Sequence, residues 1–192
     1  MSRTELKIGA LLVATPQNSD EHVARGVILI VAHYENGAAG VMLSHRPFPG
    51  FDYQKLIVGE VGRDPLAGCA DPMERVRWGG PVALGSVTAL HDRIDEASSG
   101  RIGDSGCAAT HPAHLADIRT DNKLLTYGFA AWENNDLVEE LKNTNDWLII
   151  EADAELIFKT PPEQMWEAAL KRAGIDKARN FYALAPSGMR PN

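Results

Sequence analysis

The stretch Tyr127-Gly128-Phe129-Ala130-Ala131-Trp132, followed by Glu133-Asn134-Asn135-Asp136-Leu137-Val138-Glu139-Glu140-Leu141 and then Asp146-Trp147-Leu148, constrains this chain more than any other. It reads as strand, turn, acidic helix and strand, with a tryptophan at each end of the helix. Asp136 and Glu139 suit a capping arrangement, and Leu137, Val138 and Leu141 form the apolar stripe. The carboxylates Glu133, Asp136, Glu139 and Glu140 cluster where a helix dipole favours negative charge, which accounts for several of them without catalytic duty. Trp132, Trp147 and Trp166 read as core or helix–sheet anchors.

The rest of the chain supplies more strands than helices. Ala10 to Ala14 suits a buried strand, and Ser19-Asp20 opens a turn running to Arg25. Gly26 to Tyr34 reads as a central strand, and Glu35-Asn36-Gly37 as a tight turn, because Asn and Gly tolerate positive φ. Gly40-Val41-Met42-Leu43 then completes an antiparallel hairpin. Residues 51–62 suggest a short helix capped by Asp52, and residues 63–74 a loop. Glu74 to Trp78 is a strand ended by Gly79-Gly80-Pro81, and Val82 to His91 continues as strand after a bend. Asp95 to Gly106 reads as an exposed hairpin or mobile loop, Pro112 to Ile118 as a short helix, and Lys123 to Trp132 as a strand. Trp147–Glu151 and Ala154–Lys159 read as two further strands joined around Asp153. Thr160-Pro161-Pro162-Glu163 then starts a helix with Thr160 at the N-cap, and Gly174 closes it. Strands that follow strands point to an α+β domain with a mixed, largely antiparallel sheet and helices outside it. No Pro/Gly/Ser-rich linker divides the chain, so a single domain over residues 1–180 with an extended tail over 181–192 is expected.

Composition narrows the function classes. At 44% hydrophobic residues the chain can bury a sizeable core. Its longest apolar run, Gly26 to Ala32, is far below the roughly 20 residues of a membrane span, and the start lacks the form of a signal peptide. A cytoplasmic protein with no membrane partner is expected, with Cys69 and Cys107 as reduced thiols. A net charge of −7 disfavours nucleic acid. The charge is uneven, however: Lys171, Arg172, Lys177 and Arg179 form a basic C-terminal patch that is the candidate nucleic-acid contact.

Individual motifs support no coherent chemistry. Gly103-Asp104-Ser105-Gly106 looks like the nucleophile segment of trypsin-like proteases, and Val31-Ala32-His33 faintly echoes their histidine segment. However, His33 falls in a central strand and Ser105 in a turn, so no catalytic residue is assigned. Cys107, His111 and His114, with Cys69, His91 or an acid as a fourth ligand, form the best metal candidate. The spacing equally suits a helix start at Pro112, so no metal and no cofactor are expected. His91 and His45 read as polar surface residues or hydrogen-bonded partners. Gly79-Gly80 could bring backbone amides to an anion, but reads first as a bend that lets the sheet curl. With Trp78 and Trp132, these glycines are the candidate ligand-binding site, for an unknown small molecule or protein partner.

In order, these segments resemble the YqgE/AlgH family, also called UPF0301 or DUF179, over residues 9–173. Gly9 to Pro16 is similar to its opening strand, and Gly26–His33 with Gly37–Val41 to its central hairpin. Gly79-Gly80-Pro81-Val82 with Leu90-His91 is similar to its Gly-Gly-Pro-Val and Leu-His signature. Trp132, Leu137, Glu140 and Leu141 keep the spacing of its Trp and Gln-Leu-Glu helix, and Trp166 that of its last-helix Trp. The chain departs from the family pattern at Ser44, where Asn is common, and at Ala131, Asn135, Asp136 and Val138. The resemblance implies a sheet curled into a partial barrel. It also implies the family's usual label of transcriptional regulator, without a settled molecular activity. The expectation is a non-enzymatic binding protein, with direct nucleic-acid binding, or a ligand or enzymatic pocket near Trp78–Val82, as alternatives.

Overall fold

The computed structural model describes residues 5–56, 59, 62–97, 99–133 and 135–175. The tail over 181–192, Lys177 and Arg179 lie outside them. Among the described residues nine strands join one sheet: β1 (Ala10–Ala14), β2 (Val27–Tyr34), β3 (Gly37–Met42), β4 (Val76–Trp78), β5 (Val82–His91), β6 (Ser99–Arg101), β7 (Ala108–Thr110), β8 (Lys123–Trp132) and β9 (Trp147–Glu151). Their order is β6-β7-β5-β8-β3-β2-β1-β9, with β4 alongside β8. Only the β4–β8 pairing is parallel. Helices α1 (Tyr53–Leu56), α2 (Pro112–Leu115), α3 (Asp136–Asn143), α4 (Ala154–Lys159) and α5 (Pro162–Arg172) flank the sheet. The architecture is α+β, with a largely antiparallel sheet curled into a half-barrel.

β1 and β2 lie at the centre because both their faces are covered. Leu11, Val13, Val27 and Leu29 point into the cluster under α4 and α5, while Leu12, Ala14, Ile28 and Ile30 point into the one holding Leu137 and Trp147. This two-sided burial explains their unbroken apolar runs. Truncating one such Leu to Ala removes its buried methyls and leaves a cavity, costing about 2–5 kcal/mol. Trp166 pins α5 to this centre: its indole Nε1–H donates to the Ala14 carbonyl at 2.6 Å, and the Arg25 guanidinium lies 5.4 Å from the ring centroid.

The curl has a local cause. On one edge β8 runs beside β4 through Tyr127 and beside β3 from Ala130 onward, while β5 follows its other edge as far as Phe129 through a register shift; the change from β4 to β3 spans Gly128, whose φ is +70°. There the segment after β4 crosses over: Gly79 N–H donates to the Tyr127 carbonyl at 2.8 Å, and the Gly79 carbonyl accepts from Met42 N–H at 2.8 Å. A Cβ on Gly79 would overlap the Gly128 carbonyl, and one on Gly80 the Phe129 backbone. The glycine pair is therefore a crossing point where two backbones touch.

Several expectations need correction. Ala154–Lys159 is a helix, not a strand; the Asp153 side chain caps it, accepting from Leu156 N–H at 2.8 Å. Thr160 ends that helix, and Pro161 is the N-cap of α5, without a side-chain bond. α3 follows Asn135 in a left-handed conformation with φ +66°, and the Asp136–Glu139 capping arrangement does not form. The Glu35-Asn36 turn uses no positive φ at Asn36 or Gly37; Gly37 is needed because a Cβ would sit 2.6 Å from the Trp132 carbonyl. The 95–106 segment is not wholly exposed: Ile102 and Ser105 are buried where the β6–β7 loop folds inward. The close of α5 is as expected, with Gly174 N–H on the Lys171 carbonyl and Ile175 N–H on that of Leu170, a Schellman pair.

Candidate functional site

A cleft of about 630 Å³ opens on the α3 side of the sheet. Its floor and one wall are the end of β8, Ala130 to Trp132, with Pro81 and Val82 beside them. The turn before β2 supplies Asn18, Asp20, His22 and Val23, and the α3–β9 corner supplies Glu140, Asp146 and Trp147. Each part is held by sequence-local geometry. Asp20 accepts from His22 N–H at 2.8 Å, and Asn18 accepts from Asp20 N–H at 3.1 Å, which fixes the turn. Trp147 Nε1–H donates to Glu140 Oε2 at 2.7 Å, tying β9 to α3. Trp132 and Trp147 meet edge to face, with centroids 6.0 Å apart at 85°.

The residues expected to form a ligand site are only partly brought together. Trp132 lines the cleft, as do the neighbours of the glycine pair, Pro81 and Val82. Gly79 and Gly80 face β8 instead. Half-buried Trp78 packs against both the Leu137–Trp147 cluster and the one around Tyr127, its ring 5.9 Å from that of His45, and does not line the cleft. Asp20, His22, Asp146 and the rest of the turn carried no recognisable motif. Glu140 and Trp147 were visible only as helix dipole and core residues, because their pairing depends on the α3–β9 corner.

The other candidates are spread apart. Ser105 is buried, its hydroxyl donating to the Ile102 carbonyl at 2.7 Å and accepting from Cys107 N–H at 3.2 Å, while His33 is exposed on β2. Ser105 thus staples a hairpin loop. Cys107 lies in the core, where burial pushes its thiol up to about 12, and Cys69 is a second free thiol. His111 and His114 are exposed, with rings 5.7 Å apart, and His111 Nδ1 accepts from Ala113 N–H at the start of α2. Among the described residues no three His, Cys, Asp or Glu side chains gather as a metal set would. His91 is fully buried, Nε2 at 2.8 Å from the Ser99 hydroxyl and Nδ1 accepting from Arg93 N–H, and burial lowers its pKa. Lys171 and Arg172 occupy the last turn of α5, where Arg172 pairs with Asp153. No helix of the described residues is long and apolar enough to cross a membrane.

In the cleft itself, His22 Nδ1 lies 3.5 Å from Asp20 Oδ1, with both side chains more than half exposed. Among the described residues neither Ser19 nor His22 forms the hydroxyl–imidazole bond that an activated serine requires. Indole faces, carboxylates and amides remain, a set suited to contact and orientation.

Comparison with known proteins agrees with this architecture. The solution structure of the AlgH protein from Pseudomonas aeruginosa matches with a TM-score of 0.64 and 27% identity, over 97% of this chain and 99% of that one. A crystal structure of a Corynebacterium diphtheriae protein matches in fold with a TM-score of 0.71 at 24% identity, over 90% of each chain. A UPF0301 protein of a Bradyrhizobium species is 35% identical over 88% of this chain and 82% of its own length. One of Pectobacterium atrosepticum is 34% identical over 86% of this chain and 90% of its own. The model of the DUF179 family, described as AlgH-like, matches residues 11–178, and the chain belongs to that family.

Proposed function

We propose that this chain is a cytosolic, non-enzymatic binding protein with a regulatory role, and that the cleft between Trp132 and Trp147 is where it holds its ligand. The observation that carries this reading is the cleft: a concavity of about 630 Å³ with two indoles and several polar groups converging on it. That volume falls within the range of small-ligand sites. Its walls come from the ends of β5, β8 and β9, from α3 and from a turn held by its own hydrogen bonds, so the side chains are positioned before any ligand arrives, which lowers the ordering cost of binding. The regulatory part rests on the family resemblance. A single-domain organisation accords with one sheet whose hydrogen-bonded order runs from β6 to β9.

The test is a small-molecule and pull-down screen on the full chain, with hits mapped by amide and indole NMR shifts. Shifts confined to Trp132, Trp147 and their neighbours, lost in Trp132→Ala, are expected. Turnover of a common ester, phosphate or nucleotide substrate, abolished by changing one cleft residue, would overturn the reading.

A further inference from the structure

We propose that the ligand recognised by the cleft is an organic cation: an ammonium, quaternary ammonium or guanidinium group. This rests on the binding reading above and adds the chemical class.

Three features converge. The lining carries the carboxylates of Asp20, Glu140 and Asp146, and among the described residues that line it there is no Lys or Arg. A concave, partly apolar site lined by one sign of charge concentrates the opposite sign. Second, the aromatic wall is indole, whose negative π face is the best side-chain partner for a cation. Trp147 is buried and braces Trp132 edge to face, so the indole surface left open to a guest is that of half-buried Trp132. Third, Glu140 is held at the edge of this wall: its Oε2 accepts the Trp147 Nε1–H, leaving Oε1 without a hydrogen bond among the described residues. The Asp146 side chain likewise forms no hydrogen bond or ion pair among them, its bonds running through its backbone. The carboxylates therefore have acceptor capacity to spare beside a π surface. An anionic guest would face like charge from three directions.

The cation could be a free amine or the side chain of a partner protein. Tryptophan fluorescence titration of the full chain separates the two. Choline is compared with dimethylbutanol, its uncharged carbon isostere, and a capped trimethyllysine peptide with its acetyllysine counterpart; malonate is the anionic control. Each cation is expected to bind at least about tenfold more tightly than its neutral analogue, with affinity falling as salt rises. Choline alone would identify a small-molecule source, and the peptide alone a partner's side chain. Glu140→Gln keeps an acceptor for Trp147 and removes the charge; Asp146→Asn removes a charge with no internal bond at stake. Both variants should melt as the parent does and bind the cation at least about fivefold more weakly. Equal binding of charged and neutral probes, or unchanged affinity in both variants, would overturn the cation assignment while leaving the binding reading intact. Tighter binding of malonate than of either cation would do the same. A cleft whose indoles respond to no probe of any charge, in this titration or in the NMR screen, would remove both.

Discussion

The Ser44 hydroxyl satisfies backbone groups at the start of β2. Its Oγ accepts from the buried Val27 N–H at 3.0 Å and lies 3.3 Å from the Arg25 carbonyl and 3.0 Å from His45 Nδ1. Removing it strands a buried donor, so Ser44→Ala should lose about 1–3 kcal/mol in urea unfolding. Ser44→Asn, which restores an acceptor, should lose less. A second residue-scale expectation concerns the histidines. Burial lowers the pKa of both His45 and His91 below the ordinary value of 6.5. As pH falls through about 6.5, the unfolded chain takes up protons that the folded chain does not, so stability must drop. Carboxylates titrate below about pH 4.5 and leave that window clear. Unfolding free energy should decrease from pH 7.5 to pH 5, and His91→Gln should flatten part of that slope; an unchanged slope in both His91→Gln and His45→Gln would refute the assignment. Nothing in the local sequence marked His91 as buried, because its burial depends on β5 pairing with β7 and on the contact of its ring with Ser99 of β6.

At the scale of elements, what could be read from the sequence was what repeats. α5 was visible because Met165, Trp166, Ala169 and Leu170 recur at helical spacing, and all four are buried. β8 was visible to the residue, and β2 nearly so, because long runs of apolar and aromatic residues between turn signals have few other uses. α4 was not. Its Leu156, Ile157 and Phe158 are consecutive and all buried, so helical and strand periods fit equally well over six residues. What decides it is Asp153, which caps α4 through Leu156 N–H and also pairs with Arg172 at the end of α5. Asp153→Ala should therefore cost about 1 kcal/mol for the cap, plus a smaller amount for the ion pair, both ends of which are partly exposed. Arg172→Ala removes only the pair and should cost less. Chemical denaturation of the two variants tests that ranking; equal losses would mean that the cap contributes little. The cleft was half legible for a related reason. Trp132 stood out in its block, whereas Asp20 and Asp146, 126 positions apart in the chain, meet only because β1 lies between β2 and β9.

The shape of the whole molecule depends on the crossing at Gly79, Gly80 and Gly128. Gly80 has φ +146° and Gly128 φ +70°, and a Cβ on Gly128 would overlap the Gly80 carbonyl and come within 3.1 Å of that of Val82. Two accounts of these glycines make opposite predictions. If they exist to present amides to an anion, alanine there would abolish binding and leave folding nearly intact. If they exist so that one edge of β8 can pass from β4 to β3, alanine forces the backbones apart. Backbone held in such a region costs a residue with a Cβ about 1–3 kcal/mol before any overlap is counted. The hydrogen bonds already in place favour the second account, since the Gly79 amide and carbonyl are taken by Tyr127 and Met42. Gly80→Ala and Gly128→Ala should each lower stability by more than about 2 kcal/mol, read from urea midpoints. Because the strained positions are neighbours in space, the double variant should lose less than the sum of the two. The cleft borders this crossing through Pro81, Val82 and Ala130, so hydrogen exchange at Ala130–Trp132 should quicken in both variants, as the wall that carries Trp132 loosens with the turn of the sheet.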